Sequence, residues 1–322
     1  MTDELLRIDG LHIGFRNGDT IRGVVRGVDL RMTRGEVVGL VGESGSGKSI
    51  TALSILRLLP PGAEVTSGRI IFQGQDMVAM KPSEMNRLRG SAIGMVFQDP
   101  LTALNPSVTI GQQLVDMIRT HQKLGRRAAM TRAEELLGLV GIPFPKQRLL
   151  AFPHELSGGM RQRVMIALAV SCNPVLLIAD EPTTALDVTV QAQVMDLIGR
   201  IRREFNIAVL FISHNLELVG EIADRVTVMY AGRAVESADV ETLFARPTHP
   251  YSRQLIRCIP RLDGTRGAMP TIPGLPPIAG RFPPGCAFAP RCELAEAECA
   301  GDQPPMRWKD RHMTACFLSA PQ

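Results

Sequence analysis

The sequence predicts an α/β protein: a mostly parallel sheet covered by helices on both faces, an inserted helical block and an irregular tail. Three observations predict it. Short continuous apolar runs at Val37–Val41, Val175–Ile178, Ala208–Ile212 and Val226–Tyr230 alternate with stretches of helical periodicity, the pattern of buried parallel strands joined by helices. A helical block from about Ser107 to Val140 interrupts that alternation. After Arg246 the composition shifts, and prolines recur from Pro247 to Pro284, Pro260 and Pro270 among them, which disfavours any long regular element.

The elements follow in order. Leu5–Phe15 and Val24–Met32 alternate apolar and polar side chains and read as antiparallel strands. Val37–Val41 ends in a Gly-rich turn that opens a helical stretch, Lys48–Leu58, making a strand–loop–helix unit. A hairpin-like strand, Arg69–Phe72, follows the break at Pro60–Gly62. In the helical block Leu114, Ile118, Leu136, Leu137 and Val140 recur at helical spacing, and a further helix spans Gly158–Val170. Strand Val175–Ile178, helix Val190–Phe205, strand Ala208–Ile212, helix Leu216–Ile222 and strand Val226–Tyr230 complete the pattern. The divisions expected are a main domain over 1–247, with a helical subdomain at about 99–165, and an extension over 248–322. No internal repeat or low-complexity tract is visible.

Composition narrows the function. The 322 residues are 45% hydrophobic and 21% charged, which excludes wholesale disorder. Lys+Arg 36 against Asp+Glu 32 gives +4, too small a bias to indicate a nucleic-acid partner. No apolar run reaches the ~18 residues of a membrane span; the nearest, Val164 to Ala179, is broken by Ser171, Asn173 and Pro174. Met1–Asp9 carries Asp3 and Glu4 and no apolar core, so no secretory signal is expected and the chain is read as cytoplasmic. Any membrane attachment must then come through a partner. Cys172 and Cys258 fall in apolar helical patterns and read as small core residues. Cys286, Cys292, Cys299 and Cys316 cluster in the tail, which in a cytosolic chain favours a metal site over disulfides.

Two segments carry phosphate chemistry. Gly42-Glu43-Ser44-Gly45-Ser46-Gly47-Lys48-Ser49 fits G-x-x-x-x-G-K-[ST]. Its glycines let the backbone curl so that N–H groups face phosphate oxygens, and the helix N-terminus adds positive potential. Lys48 can reach the β- and γ-phosphates, and the Ser49 hydroxyl can ligate Mg²⁺. A chance Gly-rich turn would lack the preceding strand and following helix. Leu176-Leu177-Ile178-Ala179-Asp180-Glu181 is an apolar strand ending in two carboxylates. Beside a phosphate loop, Asp180 can hold the Mg²⁺ shell while Glu181 orients and deprotonates an attacking water; alone, the pair would read as a strand-end turn.

Between them, Leu156-Ser157-Gly158-Gly159-Met160 opens a helix with N–H groups available to an anion. At this point the sequence resembles the ATP-binding subunits of ABC transporters, whose signature is LSGGQ; Met160 stands where Gln is usual. The resemblance covers almost the whole chain. It implies a P-loop NTPase (RecA-like) core with an antiparallel β subdomain, an inserted α-helical subdomain and an irregular Cys/Pro-rich C-terminal extension. By the same resemblance Gln98 is the Q-loop glutamine that senses metal and water, Ala185-Leu186-Asp187 the D-loop, and His214 the switch histidine at the γ-phosphate. Phe15 stands where the family stacks an aromatic on adenine, though it also fits a core residue of the first strand.

The resemblance further implies that two such subunits sandwich two ATP molecules. Each nucleotide would lie between one chain's phosphate loop (Gly42, Ser44, Gly45, Ser46, Gly47, Lys48, Ser49) and the other chain's signature, Ser157 and Gly159, with Asp187 of the D-loop also counted among the nucleotide-binding residues. Two transmembrane permease subunits, a second related ATPase subunit or a second copy, and a substrate-binding protein are the implied partners, at the cytoplasmic face of the inner membrane. Phe97-Gln98-Asp99-Pro100-Leu101-Thr102-Ala103-Leu104-Asn105-Pro106 and Thr248-His249-Pro250-Tyr251 resemble segments of oligopeptide/dipeptide import ATPases. Nickel and sugar importers share the His-Pro-Tyr type, and a soluble ATPase of translation or repair is the rival outside transport. The four tail cysteines, spaced C-x5-C-x6-C-x16-C, leave zinc, an iron–sulfur cluster or free thiols open by themselves. The resemblance implies a [4Fe–4S] cluster, with zinc as runner-up.

Overall fold

The computed structural model describes residues 3–184, 186–259 and 271–319; Ala185, Pro260 and Pro270 lie outside them. The strands are β1 Glu4–Asn17, β2 Thr20–Thr33, β3 Val37–Val41, β4 Ala63–Phe72, β5 Gln75–Asp76, β6 Ile93–Val96, β7 Leu176–Asp180, β8 Ala208–Ser213, β9 Arg225–Tyr230, β10 Arg233–Asp239, β11 Arg307–Lys309 and β12 His312–Thr314. They fall into two compact units, one of residues 1–32, 37–79 and 212–322 and one of 33–36 and 80–211. The chain passes from the second to the first within β8.

In the first unit β2-β1-β4-β5 form one sheet. β1 and β4 run antiparallel from Leu6↔Phe72 to Phe15↔Ala63. Sequence pattern alone places β4 at Arg69–Phe72, yet it begins at Ala63. Glu64, Thr66 and Ser67 show no apolar alternation, and it is pairing with β1 that holds them in the strand. Gly68, at φ +94°, lets the strands close at the bulge, where a Cβ would stand 2.5 Å from the Gly10 carbonyl oxygen. The inward residues Leu6, Ile8, Leu11 and Ile13 are fully buried, as a half-buried antiparallel strand requires.

The same unit holds β11-β12-β10-β9-β3 in that order. β3 and β9 are parallel, while β9–β10, β10–β12 and β11–β12 are antiparallel, so the mostly parallel sheet carries an antiparallel edge. β10 is absent from the sequence reading because Glu236 and Ser237 break its apolar run. Glu236 is nonetheless fully buried and accepts hydrogen bonds from the Thr248 N–H (2.7 Å), the Thr248 hydroxyl (2.8 Å), the His249 N–H (2.9 Å) and His312 Nε2 (2.9 Å). Burial pushes its carboxyl pKa up, but the bonds from His312, Thr248 and His249 outweigh that and hold it below the ordinary range. One buried carboxylate thus fixes the Thr248-His249 turn, and the His249 side chain accepts from the Tyr251 N–H to cap helix Pro250–Arg257. The tail is therefore not wholly irregular. β12 pairs with β10 at Glu236↔Thr314, and Ala315 N–H continues to the Val235 carbonyl.

This anchor carries a pH prediction. Burial depresses the pKa of His249 to about 4. The unfolded chain, with an ordinary histidine near 6.5, therefore binds the extra proton first, and stability falls as pH drops from ~6.5 to ~4, by up to about 3 kcal/mol. The depressed Glu236 acts with the same sign. Thermal melts of the parent across pH 7.5–4 should fall more steeply than those of His249→Gln; parallel curves would remove His249 from this role.

In the second unit β6 runs parallel to β7 with Val96 opposite Ala179, and β8 lies beyond β7. β6 is another element that sequence pattern misses. Gly94 is required there, since a Cβ would sit 2.1 Å from the Ala169 carbonyl oxygen of helix Gly158–Val170. The expected helical block resolves into Ile110–His121, capped by Thr109, and Arg126–Leu139. Helix Gly158–Val170 falls on its predicted bounds, whereas helix Lys48–Leu58 is shorter, Lys48–Ile55, and Val190–Phe205 starts earlier, at Val188. Cys172 and Cys258 are half-buried at the C-terminal ends of helices rather than core residues, which corrects their reading. Among the described residues no helix is long and apolar enough to cross a membrane.

Candidate functional site

The phosphate-loop residues belong to the first unit. β3 is buried at every position and delivers the chain to Gly42, whose φ of +151° and position only glycine tolerates: a Cβ would meet the Met229 carbonyl oxygen at 2.1 Å. Gly47 takes the left-handed conformation (φ +99°) immediately before helix Lys48–Ile55. Lys48 is buried and folds back over the loop, donating to the carbonyls of Gly42 (2.7 Å) and Glu43 (3.0 Å). The loop is stitched to its surroundings by the Gly232 N–H on the Ser46 carbonyl and the Arg26 N–H on the Gly232 carbonyl.

Two observations fit this loop to phosphate. Among the described residues the buried Ser46 hydroxyl has no hydrogen-bond partner, an arrangement that costs free energy unless a bound group satisfies it. Around Gly45, at φ +79°, no atom stands within 4 Å of where a Cβ would be, leaving room on the loop's outer face where Ser44 is also exposed. Ser49 is half-buried in the first helical turn. His214 is exposed just beyond β8, and the next residue, Asn215, caps helix Leu216–Ile222. Phe15 is half-buried on β1 opposite Ala63, so it is not a core side chain.

The second unit holds Gln98, Ser157, Gly159, Asp180, Glu181 and Asp187. The β6–β7 register explains one pair. With Val96 beside Ala179, residues two further along each strand meet, and Gln98 Nε2 donates to Glu181 Oε2 at 3.0 Å. The Thr184 hydroxyl donates to the same oxygen at 2.9 Å. Glu181 itself sits at φ +46°, a conformation disfavoured for a side-chain-bearing residue and concentrated at functional positions. Asp180 is buried at the end of β7.

Ser157 is exposed and caps helix Gly158–Val170 by accepting from the Met160 N–H at 3.3 Å. Gly159 is required for packing within the unit, because a Cβ would stand 2.8 Å from Val190 Cγ1. Asp187 is exposed and caps helix Val188–Phe205 through the Val190 N–H. Ser157 and Asp187 thus each cap a helix.

In the tail, Cys286, Cys292, Cys299 and Cys316 line one pocket with His249 and Phe288. Burial pushes the Cys286 thiol up, and the nearby Cys299 and Cys316 thiols push it the same way. Among the described residues no three His, Cys, Asp or Glu side chains are grouped so as to hold a metal ion. Arg26 and Arg233 line the adjoining pocket with Cys286. Burial, with Arg233 next to it, brings the Arg26 pKa down to about 10. Sequence reasoning missed a further contact: Glu43 of the phosphate loop is held by Arg291 of the tail, two charged residues 248 positions apart with no local pattern to pair them.

Residues 25–184 match the family described as ABC transporter, and residues 235–299 match that described as oligopeptide/dipeptide transporter, C-terminal region. The chain is 45% identical over 316 residues to the oligopeptide transport ATP-binding protein OppD of Haemophilus influenzae, covering 98% of each chain. It is 45% identical over 319 residues to the dipeptide transport ATP-binding protein DppD of Bacillus subtilis, covering 98% of this chain and 95% of that one. Among solved structures it is similar to the dimeric post-hydrolysis state of an ATP-binding cassette bound to ADP and Pi (TM-score 0.66, 25% identity, 73% of this chain and 99% of that one). With the whole chain matched, both the nucleotide-binding core and the region around Thr248-His249-Pro250-Tyr251, the protein belongs to the ATP-binding subunits of ABC transporters, in the branch that carries the oligopeptide/dipeptide transporter C-terminal region.

Proposed function

We propose that this chain hydrolyses ATP to power import of di- or oligopeptides across the inner membrane, working at its cytoplasmic face with two permease subunits. A second ATPase subunit, related or identical, completes the nucleotide sites, and a substrate-binding protein delivers the cargo. The observation that carries this reading is near-full-length identity to relatives named for both dipeptide and oligopeptide transport, the C-terminal region included. The domain limits that go with this reading are an ATPase domain over 1–247, with its helical subdomain at about 99–165, and a peptide-importer extension over 248–322. In the assembled complex, ATP hydrolysis should rise when the binding protein is loaded with peptide. Stimulation by a nickel- or sugar-loaded binding protein instead would overturn the cargo.

Each residue has a part in that chemistry. Loop N–H groups and the Ser46 hydroxyl bind phosphate oxygens, Lys48 moves from the loop carbonyls onto the β- and γ-phosphates, and Phe15 stacks on the adenine. Ser49, Gln98 and Asp180 would hold Mg²⁺, which would neutralise charge on the phosphate. Glu181 takes the proton of the attacking water, positioned by Gln98 and Thr184, and His214 contacts the γ-phosphate. Ser157, Gly159 and Asp187 act on the nucleotide of the partner subunit, so ATP favours the closed dimer and hydrolysis releases it.

The tail cysteines are assigned a [4Fe–4S] cluster of structural role. The observation that supports a shared centre is that the four thiols line one pocket. Arg26 and Arg233 beside Cys286 would offset the negative charge of the thiolates. Anaerobically purified protein should hold about four iron and four sulfide, lost on replacing any of the four cysteines by Ser but not in Cys172→Ser. Stoichiometric zinc without iron, or no metal, would overturn the cluster.

A further inference from the structure

We propose that Arg291 neutralises the Glu43 carboxylate of the phosphate loop and Tyr251 positions the Glu43 backbone, a latch by which the C-terminal extension sets how tightly this chain's own loop holds nucleotide. The inference rests on the assignment of Gly42–Ser49 to the phosphates of ATP and adds a control on that site from outside it.

Glu43 is the second residue of the loop, and three of its polar groups are engaged. Its carbonyl accepts from Lys48 Nζ at 3.0 Å, and its N–H donates to the Tyr251 hydroxyl oxygen at 3.0 Å. Its carboxylate takes both prongs of the Arg291 guanidinium, Nη1 to Oε2 at 2.7 Å and Nη2 to Oε1 at 2.9 Å. The Arg291 side chain is only 5% exposed, so this fork is shielded from solvent. Arg291 is itself immobilised: Nε donates to the Pro273 carbonyl (2.9 Å) and Nη1 to the Tyr230 hydroxyl (3.2 Å). Tyr230 packs at a tilt against Tyr251 and edge-to-face with Phe288, with ring centroids 4.6 Å and 5.2 Å away. The hydrogen bonds to Glu43 hold the Arg291 pKa above its ordinary value, and burial with the Glu43 charge does the same for the Tyr251 phenol. Neither group titrates away near neutral pH.

Two consequences follow. The same residue that receives the tail also receives Lys48, so the position of the cation that must reach the phosphates depends on contacts made by the extension. The carboxylate of Glu43 also lies beside a loop built for anions. Unpaired, it would repel a triphosphate; the arginine fork neutralises it. Phe288 lines the cysteine pocket and Arg291 precedes Cys292, so order in that pocket extends to the latch.

The test measures ATP affinity of the full chain by calorimetry, beside its melting temperature. Arg291→Ala should weaken ATP binding roughly tenfold by leaving the Glu43 charge unpaired near the phosphates. Arg291→Ala with Glu43→Gln should restore most of that loss, although the tail contact is still missing, which a merely structural role would not allow. Tyr251→Phe, which keeps the ring, should weaken binding by roughly two- to threefold. Should Arg291→Ala fail to fold, Tyr251→Phe and Glu43→Gln with Arg291→Gln carry the comparison. Lys48→Ala is the control for the underlying assignment: parental ATP affinity in that variant would refute the loop itself and the latch with it. Loss of binding in Lys48→Ala with parental affinity in Arg291→Ala and Tyr251→Phe would overturn the latch alone. Equal weakening in Arg291→Ala and in its double variant would also overturn it.

Discussion

Replacing Glu181 by Gln should lower ATP turnover by at least ~10²-fold while leaving ATP binding in place. The substitution keeps the size of the side chain and one carbonyl oxygen, and since Gln98 and Thr184 donate to the same oxygen, both can still do so. What it removes is the group able to take a proton from water. The left-handed backbone at Glu181 is held by its position directly after the fully buried β7, so the amide variant should stand in the same place. Phosphate release in steady state, with nucleotide binding followed in parallel, separates the two effects. Hydrolysis at the parental rate would show that Glu181 is not the base.

The second large effect concerns the shared site. Ser157→Arg should leave ATP affinity of the isolated chain within about twofold of the parent, yet depress hydrolysis by the assembled complex at least ~10-fold. Ser157 is exposed, and its side chain caps the helix by accepting from the Met160 N–H. Losing that cap costs about 1 kcal/mol of stability, too little to unfold the unit. A long cation placed there would instead obstruct the face on which the partner's nucleotide is proposed to close. Equal loss of affinity and hydrolysis would put Ser157 in its own chain's pocket and contradict a sandwiched dimer.

How far the sequence spoke depended on whether the information was local. The phosphate loop was legible because a buried strand, a glycine turn and a helix start are all encoded within a dozen residues. Helix Gly158–Val170 was legible to the residue, since Ser157 is a strong cap and Asn173-Pro174 stops the chain. β10 and β12 were not legible, because Glu236, Thr314 and His312 are polar residues that become buried only by meeting one another across more than seventy positions. The start of β4 was hidden for the same reason: its polar face is ordered by β1 rather than by its own pattern. Within the site, the sequence marked Glu181 by its place after an apolar strand beside a phosphate loop and named Gln98 only by resemblance, and the register Val96↔Ala179 supplies the physical cause of their meeting. The capping work of Ser157 and Asp187 was in principle readable, since each precedes a helix as a short polar residue. The Arg291–Glu43 fork was not, as nothing local marks a long-range ion pair.

The most direct measurement is uptake of a labelled peptide into sealed vesicles that carry the complete transporter, with ATP on the side of this subunit and the binding protein on the other. The account predicts peptide accumulation that requires ATP, stops in the Glu181→Gln variant, and is not matched by nickel or sugar. ATP hydrolysis that proceeds without any peptide moving, or uptake unchanged by Glu181→Gln, would contradict it.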